Sequence, residues 1–231
     1  MAETMSPSAN EFKMMTLEQS GKVADLVFAA LRRAKLPAGP SQQVIEKHGG
    51  EIADNLVVDF RRRVEMLSDL IVRTAKVNRG RSPQEAIEAT LRAQYTDRSV
   101  VDAMPKGNEN DQSDEVDVVF FRPDLSERNG HISDGDLEKE FELRGLKPAD
   151  PVSVAAVNEA DPAFADEKPH GTHWKDAKGN WCYATFNRWN DKRKVNVNRN
   201  DNDWNDLWWF AGVRNSLHFS PYFLGEFCFV S

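Results

Sequence analysis

The stretch HWKDAKGNWCYATF (173–186) decides the fold of the C-terminal region. Aromatic-rich segments flank Asp176–Asn180, whose glycine favours a positive φ, and this pattern predicts a β-hairpin. The next stretch, RKVNVNRN (193–200), alternates apolar and polar residues, so Val195 and Val197 should face the core and the asparagines between them should face outward. LWWFAGV (207–213) and FCFV (227–230) are apolar enough for core strands. The C-terminal region is therefore predicted to be mixed and mainly β.

The N-terminal region has the pattern of helices. Residues 20–36 carry apolar side chains at helical spacing, and further helices are predicted at 41–48, ending at Gly49-Gly50, and at 52–77. Ser82-Pro83-Gln84-Glu85 is a capping box that should begin a fourth helix running to about residue 95. Farther along, a short strand is predicted at 116–121, a Ser133-capped helix at 134–144 and a helix at 152–159.

Charge divides the chain into regions of different character. Residues 20–95 contain 13 basic and 9 acidic residues, whereas residues 101–170 contain 7 basic and 18 acidic residues. We therefore predict an α+β protein with a helical domain at 1–105, an acidic linker with one short strand at 106–135, and an α+β binding domain at 136–231. With 231 residues, a net charge of −7 and two cysteines, we expect a cytoplasmic protein without a secretory signal or membrane span.

Candidate catalytic and metal-binding groups are few. Glu138, Glu140 and Glu142 cannot share one helix face, so we expect them to be solvated. No G-x-S-x-G motif accompanies the possible hydrolase residues, and no glycine-rich phosphate loop occurs. We predict no enzyme activity, no cofactor and no metal. Two alternatives stay open, a calcium site in the oxygen-rich loop 198–206 and a structural zinc site. The zinc ligands would be His170, His173, Cys182 and Cys228. The possible hydrolase residues are His218, Ser220 and Cys228.

Asparagine is concentrated near the C-terminus, with seven residues between 187 and 206. Small amides supply hydrogen bonds and tryptophans supply rigid contact area, so this segment is predicted to form a binding surface for a protein or small ligand. Trp181, Trp208, Trp209 and Phe210 should be framework. The predicted contact residues are Asn187, Asn190, Asp191, Lys192, Lys194, Asn196, Asn198, Asn200, Asp201, Asn202 and Asn205.

Several segments carry a family resemblance. DLEKEFELRGLKPADP (136–151), VAAVNEADPAFADEKPHGTHWKDAKGNWCYATFNRW (154–189) and WWFAGVR (208–214) resemble a recurrent protein family of candidate-phyla, ultra-small bacteria, as do residues 82–105 and 115–123. The segment between Trp189 and Trp208 is similar to the hypervariable region in target proteins of diversity-generating retroelements, where copying errors at adenines alter asparagine codons. The resemblance implies a C-type-lectin-like domain that binds a ligand and closes with a strand carrying Gly212 and Arg214. It also implies that the predicted contact residues vary.

Two expectations follow for function. The chain is predicted to be a non-enzymatic binding protein, in which alanine at Asn196, Asn198 and Asn200 leaves the fold intact and abolishes partner binding. The alternative is an intracellular regulator that binds nucleic acid through its basic helical half, where Arg61–Arg63 and residues 76–81 are the candidate contacts. A solvated helix face is the simpler explanation of these cations, and the acidic balance of the whole chain makes nucleic acid the less favoured partner.

Overall fold

A computed structural model describes residues 15–107 and 115–214. The chain divides into two compact units, residues 1–71 and 72–231, with the division inside a strand. The first unit contains helix α1 (Leu17–Ala34) and helix α2 (Ala38–Leu67). A capping box formed by Thr16 and Gln19 begins α1, and Lys35, in the left-handed conformation, ends it.

Helix α2 differs from its prediction in two ways. The helix predicted at 41–48 and the first part of the helix predicted at 52–77 form one helix, because Gly49-Gly50 does not interrupt it. Glycine lowers helix stability by about 1 kcal/mol per residue without forbidding helical angles, so an apolar pattern that continues across it can keep the helix intact. The predicted extension to residue 77 is wrong. Residues from Leu70 form strand β1 (Leu70–Lys76), in which Ile71 and Ala75 are buried.

The second unit contains the remaining described elements. In chain order these are α3 (Pro83–Ala89), β2 (Ala93–Thr96), α4 (Arg98–Val101), β3 (Glu115–Phe121), β4 (His131–Ile132), α5 (Asp134–Leu143), β5 (Leu146–Pro148), α6 (Pro151–Ala160), α7 (Phe164–Glu167), β6 (His170–Lys175), β7 (Trp181–Trp189), β8 (Lys192–Arg199), β9 (Trp204–Asn205) and β10 (Trp209–Arg214).

One mixed sheet organises this unit. Within residues 15–107 and 115–214 its strand order is β1-β3-β10-β6-β7-β8-β2, and β5 also pairs with β10. Strands β6, β7 and β8 are successive antiparallel neighbours, whereas β10 is parallel to β6 and β2 is parallel to β8. A separate pair joins β4 to β9. The architecture confirms the α+β class with a helical N-terminal part and a mainly β mixed sheet.

The two faces of the sheet are covered differently. On one face, Phe164 of α7 packs edge-on against Phe120 and lies over His170. On the opposite face, Phe141 of α5 packs against Phe121. Trp204, carried by β9, packs against Phe210 on that same face. The core therefore lies on both sides of the central strands, as expected when helices cover a mixed sheet.

Several predicted elements are confirmed. Strand β3, the Ser133-capped helix α5, helix α6 and the hairpin between β6 and β7 lie where the sequence indicates, and Gly179 in that hairpin has φ +83°. Val195 and Val197 are fully buried. The fourth predicted helix is wrong beyond Ala89, because Leu91 takes a positive φ and the chain reverses into β2. The predicted all-helical character of residues 1–105 is therefore wrong for β1 and β2.

The strand predicted at 227–230 and residues 108–114 of the predicted linker lie outside the described residues. Among the helices described, none combines the length and hydropathy needed to cross a bilayer.

Candidate functional site

A buried carboxylate, Asp134 at the start of α5, joins three separate segments. Its Oδ1 accepts hydrogen bonds from Nδ1 of His173 at 2.7 Å and from Nε1 of Trp204 at 2.8 Å. Its Oδ2 accepts a hydrogen bond from the side-chain amide of Asn200 at 2.6 Å. Hydrogen bonds to a buried carboxylate are among the stronger ones in proteins. Asp134 therefore ties helix α5, strand β6 and the segment after β8 to one another.

His173 lies between two carboxylates. Its Nδ1 contacts Asp134, its Nε2 lies 3.0 Å from Oε1 of Glu138, and the Trp181 ring stacks on the imidazole at 4.8 Å. Nδ1 donates to Asp134 and Nε2 lies within ion-pair distance of Glu138, so a protonated imidazolium fits this position. Burial lowers the pKa of His173, but the hydrogen bonds and charges of Asp134 and Glu138 outweigh burial and raise it above the ordinary value.

The two carboxylates respond in the opposite direction. Burial raises the pKa of Asp134, but the hydrogen bonds from His173, Trp204 and Asn200 and the charge of His173 hold it below its ordinary value. The pKa of Glu138 is lowered, chiefly by its hydrogen bond to His173. The expectation that Glu138 is simply solvated is therefore wrong, since its partner lies on a different element.

His170 is the neutral counterpart of His173. The imidazole is fully buried, its Nδ1 lies 2.8 Å from the carbonyl oxygen of Lys168, and its Nε2 lies 2.8 Å from the amide nitrogen of Asn158. Nδ1 therefore donates and Nε2 accepts, as in neutral imidazole. Burial lowers the pKa of His170 to about 3, helped by the charges of Arg92 and Arg73.

The alternative zinc set is not brought together. His170 and His173 are three residues apart on β6, so their side chains lie on opposite faces of the sheet. Cys182 is buried opposite Trp174, on the same face as His170. Cys228, His218 and Ser220 lie outside the described residues. Because each histidine already has other hydrogen-bond partners, a shared zinc site on these described residues is contradicted.

The alternative calcium loop, residues 198–206, uses several of its amides internally. The amide of Asn198 donates to the carbonyl oxygen of Tyr95, Asn200 donates to Asp134, and Oδ1 of Asn205 accepts from the backbone of Leu207. Within residues 15–107 and 115–214, no group of three or more histidine, cysteine, aspartate or glutamate side chains is arranged to hold a metal ion.

Strands β7, β8 and β2 present one open polar face. The register pairs Asn187 with Lys194, Trp189 with Lys192 and Thr185 with Asn196 on β7 and β8, and Tyr95 with Asn196 on β2 and β8. Paired residues share a face, so these side chains project together, opposite Val195 and Val197. We call this surface the amide face. Its members are Tyr95, Asn187, Trp189, Lys192, Lys194, Asn196 and Asn198.

The amide face has exposed aromatic rings and few internal ties. Trp189 is 61% exposed and Tyr95 is 48% exposed. The ammonium of Lys194 lies 4.9 Å from the Tyr95 ring centroid, and the amide of Asn196 lies 3.4 Å from the hydroxyl of Thr185. Exposed cation–π contacts and a long surface hydrogen bond contribute little to stability, so these side chains can be exchanged at small cost.

The other predicted contact residues occupy different places. Asn190 and Asp191 form the two-residue turn between β7 and β8, both with positive φ, which asparagine and aspartate tolerate in a type I′ turn. Asp201 and Asn202 are exposed in the loop after β8. Asn205 lies on β9 opposite His131. Asn200 points toward Asp134 in the interior, so the amide face does not include it.

A cavity of about 640 Å³ lies elsewhere on the second unit. The Glu138–His173 pair and Trp181 form part of its wall, with Lys147 and Lys175 also lining it. No residue of the amide face lines it, so the two surfaces are separate.

Sequence reasoning missed the Asp134 network and the contribution of β2. In the sequence, Asp134 and Glu138 are acidic residues near the start of a helix that was expected to be solvent-exposed. Only the pairing of distant elements brings His173 between them. Tyr95 was predicted to end a helix. The indole of Trp204 and the amide of Asn200 gave no local signal of a shared acceptor.

Comparisons with models of protein families, with curated proteins and with solved structures found no match for this chain. The non-enzymatic role, the cytoplasmic location and the nucleic-acid alternative therefore stay predictions.

The substitutions in the triple alanine variant proposed from the sequence fall into two classes. Asn200→Ala removes a hydrogen bond to a buried charge, so we expect it to lower the free energy of unfolding by about 1–2 kcal/mol. Asn196→Ala, its matched control on the amide face, should change that free energy by less than about 0.5 kcal/mol. Urea unfolding followed by tryptophan fluorescence measures both, and equal losses in the two variants would contradict this assignment.

The raised pKa of His173 predicts a pH-dependent stability. The folded protein holds the His173 proton more tightly than the unfolded chain, so the stabilising contribution is complete below the ordinary value of 6.5. It is lost as the pH rises through the folded-state pKa. We expect the free energy of unfolding to fall across this interval, and His173→Gln should remove that fall. His131→Gln, at an exposed position on β4, is the control, and an unchanged pH slope in His173→Gln would refute the assignment.

Proposed function

We propose that this chain is a non-enzymatic binding protein that recognises a protein partner through its amide face. The observation that carries the proposal is the period-two division of β8. Lys192, Lys194, Asn196 and Asn198 belong to the open face, while Val195 and Val197 are fully buried on the other side. A strand divided in this way can present variable polar side chains without disturbing the core.

The chemistry of the face favours a protein surface as the partner. Asparagine amides both donate and accept hydrogen bonds, the two lysines add positive charge, and exposed Trp189 and Tyr95 supply rigid contact area. Small molecules usually bind in concave sites, whereas a sheet face suits a broad macromolecular contact. The separate cavity lined by Glu138 and His173 is not required for this recognition.

We further propose a C-type-lectin-like domain of the kind carried by targets of diversity-generating retroelements. The position of Gly212 on β10 supports this proposal. A Cβ atom there would lie 3.0 Å from the Phe141 ring and 3.1 Å from the carbonyl oxygen of Lys147. Glycine thus fits where β5 and α5 approach β10, which suits a constant framework residue at the end of a variable segment.

The proposal distinguishes codons whose exchange should be tolerated from codons whose exchange should not. Lys192, Lys194 and Asn196 lie on the amide face, where exchange costs little. Asn198, Asn200 and Asn205 carry hydrogen bonds within the fold, so their replacement should be tolerated less well. If errors at adenines diversify this segment, retained substitutions should concentrate on the amide face and on the Asn190–Asp191 turn.

Sequencing the gene with several kilobases of flanking DNA tests the proposal. We expect a near-repeat of codons 187–214 beside a reverse-transcriptase gene, differing only where the repeat has adenine. Within this range, differences should fall on the codons of the amide face and of the Asn190–Asp191 turn. They should spare the codons of Val195 and Val197, which serve as the internal control. Absence of the repeat would overturn the retroelement assignment. Substitutions spread equally over face and core codons would overturn the role of the amide face.

A further inference from the structure

The cavity of about 640 Å³ on the second unit lies where two parallel strands separate. Strands β6 and β10 pair at two positions. Beyond those pairs Ala149 lies between the strands, since its backbone nitrogen donates to the carbonyl oxygen of Ala211 at 2.9 Å and its carbonyl oxygen accepts from Oγ1 of Thr172 at 2.6 Å. The carboxyl ends of both strands, residues 173–175 and 213–214, therefore line the cavity. A crevice at the carboxyl ends of parallel strands is a common position for a bound ligand.

The wall of the cavity is positively charged, although the whole chain has a net charge of −7. Four lysine and arginine side chains line it, against two carboxylates. Each carboxylate already has a cationic partner. Asp150 accepts a hydrogen bond from Arg79 at 2.8 Å, and Oε1 of Glu138 lies 3.0 Å from Nε2 of His173. The remaining positive charge is therefore available to a ligand, and a cleft with walls of one sign concentrates ions of the opposite sign.

Two lysines supply much of this remaining charge. Within residues 15–107 and 115–214, neither Lys147 on β5 nor Lys175 at the end of β6 takes part in an ion pair. The ammonium of Lys175 lies 4.5 Å from the centroid of the Trp181 ring, which leaves its charge uncompensated. A phosphate monoester carries a charge of about −1.5 to −2 at neutral pH, so it matches two ammonium groups.

The wall also has more hydrogen-bond donors than acceptors. Nε of Arg79 and Nε1 of Trp174 are both buried and have no acceptor within the described parts of the chain. Buried polar groups in folded proteins usually have a partner, and groups without one require an explanation. Both residues line the cavity, so an acceptor-rich ligand suits this wall better than a cation does.

The rest of the lining is apolar and aromatic. A cavity of about 640 Å³ lies within the usual range of small-molecule sites, about 300–1,000 Å³, and is much larger than a phosphate ion requires. The ligand therefore has an organic body as well as an anionic group. The side chains that suit this body are those of Val116, Pro148, Trp174, Trp181 and Val213.

We propose that this cavity binds a phosphate monoester with an aromatic body, of the size of a mononucleotide. Lys147 and Lys175 pair with the phosphate, and the apolar and aromatic wall contacts the ring. No residue of the amide face lines the cavity, so this site is independent of the proposed function.

Isothermal titration calorimetry of the full chain tests the ligand class. The probes are the four ribonucleoside 5′-monophosphates, their nucleosides, phenyl phosphate and inorganic phosphate. We expect at least one of the aromatic monophosphates to bind, and the nucleosides and inorganic phosphate to bind at least about tenfold more weakly, because each lacks one half of the ligand. Binding of none of the monophosphates would overturn the proposal. A nucleoside or inorganic phosphate that binds as tightly as the best monophosphate would also overturn it.

A pair of variants tests the position of the site. Replacing both exposed lysines, Lys147→Gln with Lys175→Gln, should weaken binding of the best monophosphate by about tenfold or more, because two charged partners are lost. Lys194→Gln, its matched control on the amide face, should bind as the wild type does. Loss of binding in the control, or unchanged binding in the double variant, would overturn the assignment to this cavity.

Salt dependence tests the charge pairing in the wild-type protein, without any substitution. Raising the sodium chloride concentration should weaken binding of the best monophosphate, because salt screens the attraction between the phosphate and the two ammonium groups. An affinity that does not change with salt would contradict the role of the two lysines.

Discussion

The buried carboxylate of Asp134 is the interaction on which the second unit depends. It is placed at the first turn of α5, where Ser133 caps the helix, and it accepts hydrogen bonds from β6, from β9 and from the segment after β8. An uncompensated buried carboxylate would be costly, so the three donors must stay in place together. This requirement fixes the conformation of the loop that follows β8. The outward side chains of β8 make no hydrogen bond to Asp134.

The histidine pair shows how one strand can create two different environments. His170 and His173 are close in sequence, yet the pleat sends them to opposite sides of the sheet. His170 meets a carbonyl, an amide and aromatic rings and stays neutral, whereas His173 meets two carboxylates and holds a proton. Each is held by partners within the described part of the chain. The two histidines are residue types that suit zinc, but here they meet two separate packing demands.

Local patterns predicted much of the fold, and pairing between distant segments explains the failures. The capped helix α5, the hairpin around Gly179 and the alternation of Val195 and Val197 each depend on neighbouring residues, so the sequence indicated them correctly. Strand β2 depends on β8, about one hundred residues later, and its short segment looked like the end of a helix. The amide face was predicted only in part, because Tyr95 joins it through that pairing and Asn200 leaves it for Asp134.

The division between a fixed framework and a permissive face is tested most directly by two matched libraries of the full chain. One library randomises Lys192, Lys194, Asn196 and Asn198, and the other randomises Ala184, Phe186, Val195 and Val197. The measurement is the fraction of members that resist protease on a display system. We predict that most members of the first library fold and that almost none of the second do. Equal losses in the two libraries would contradict the division.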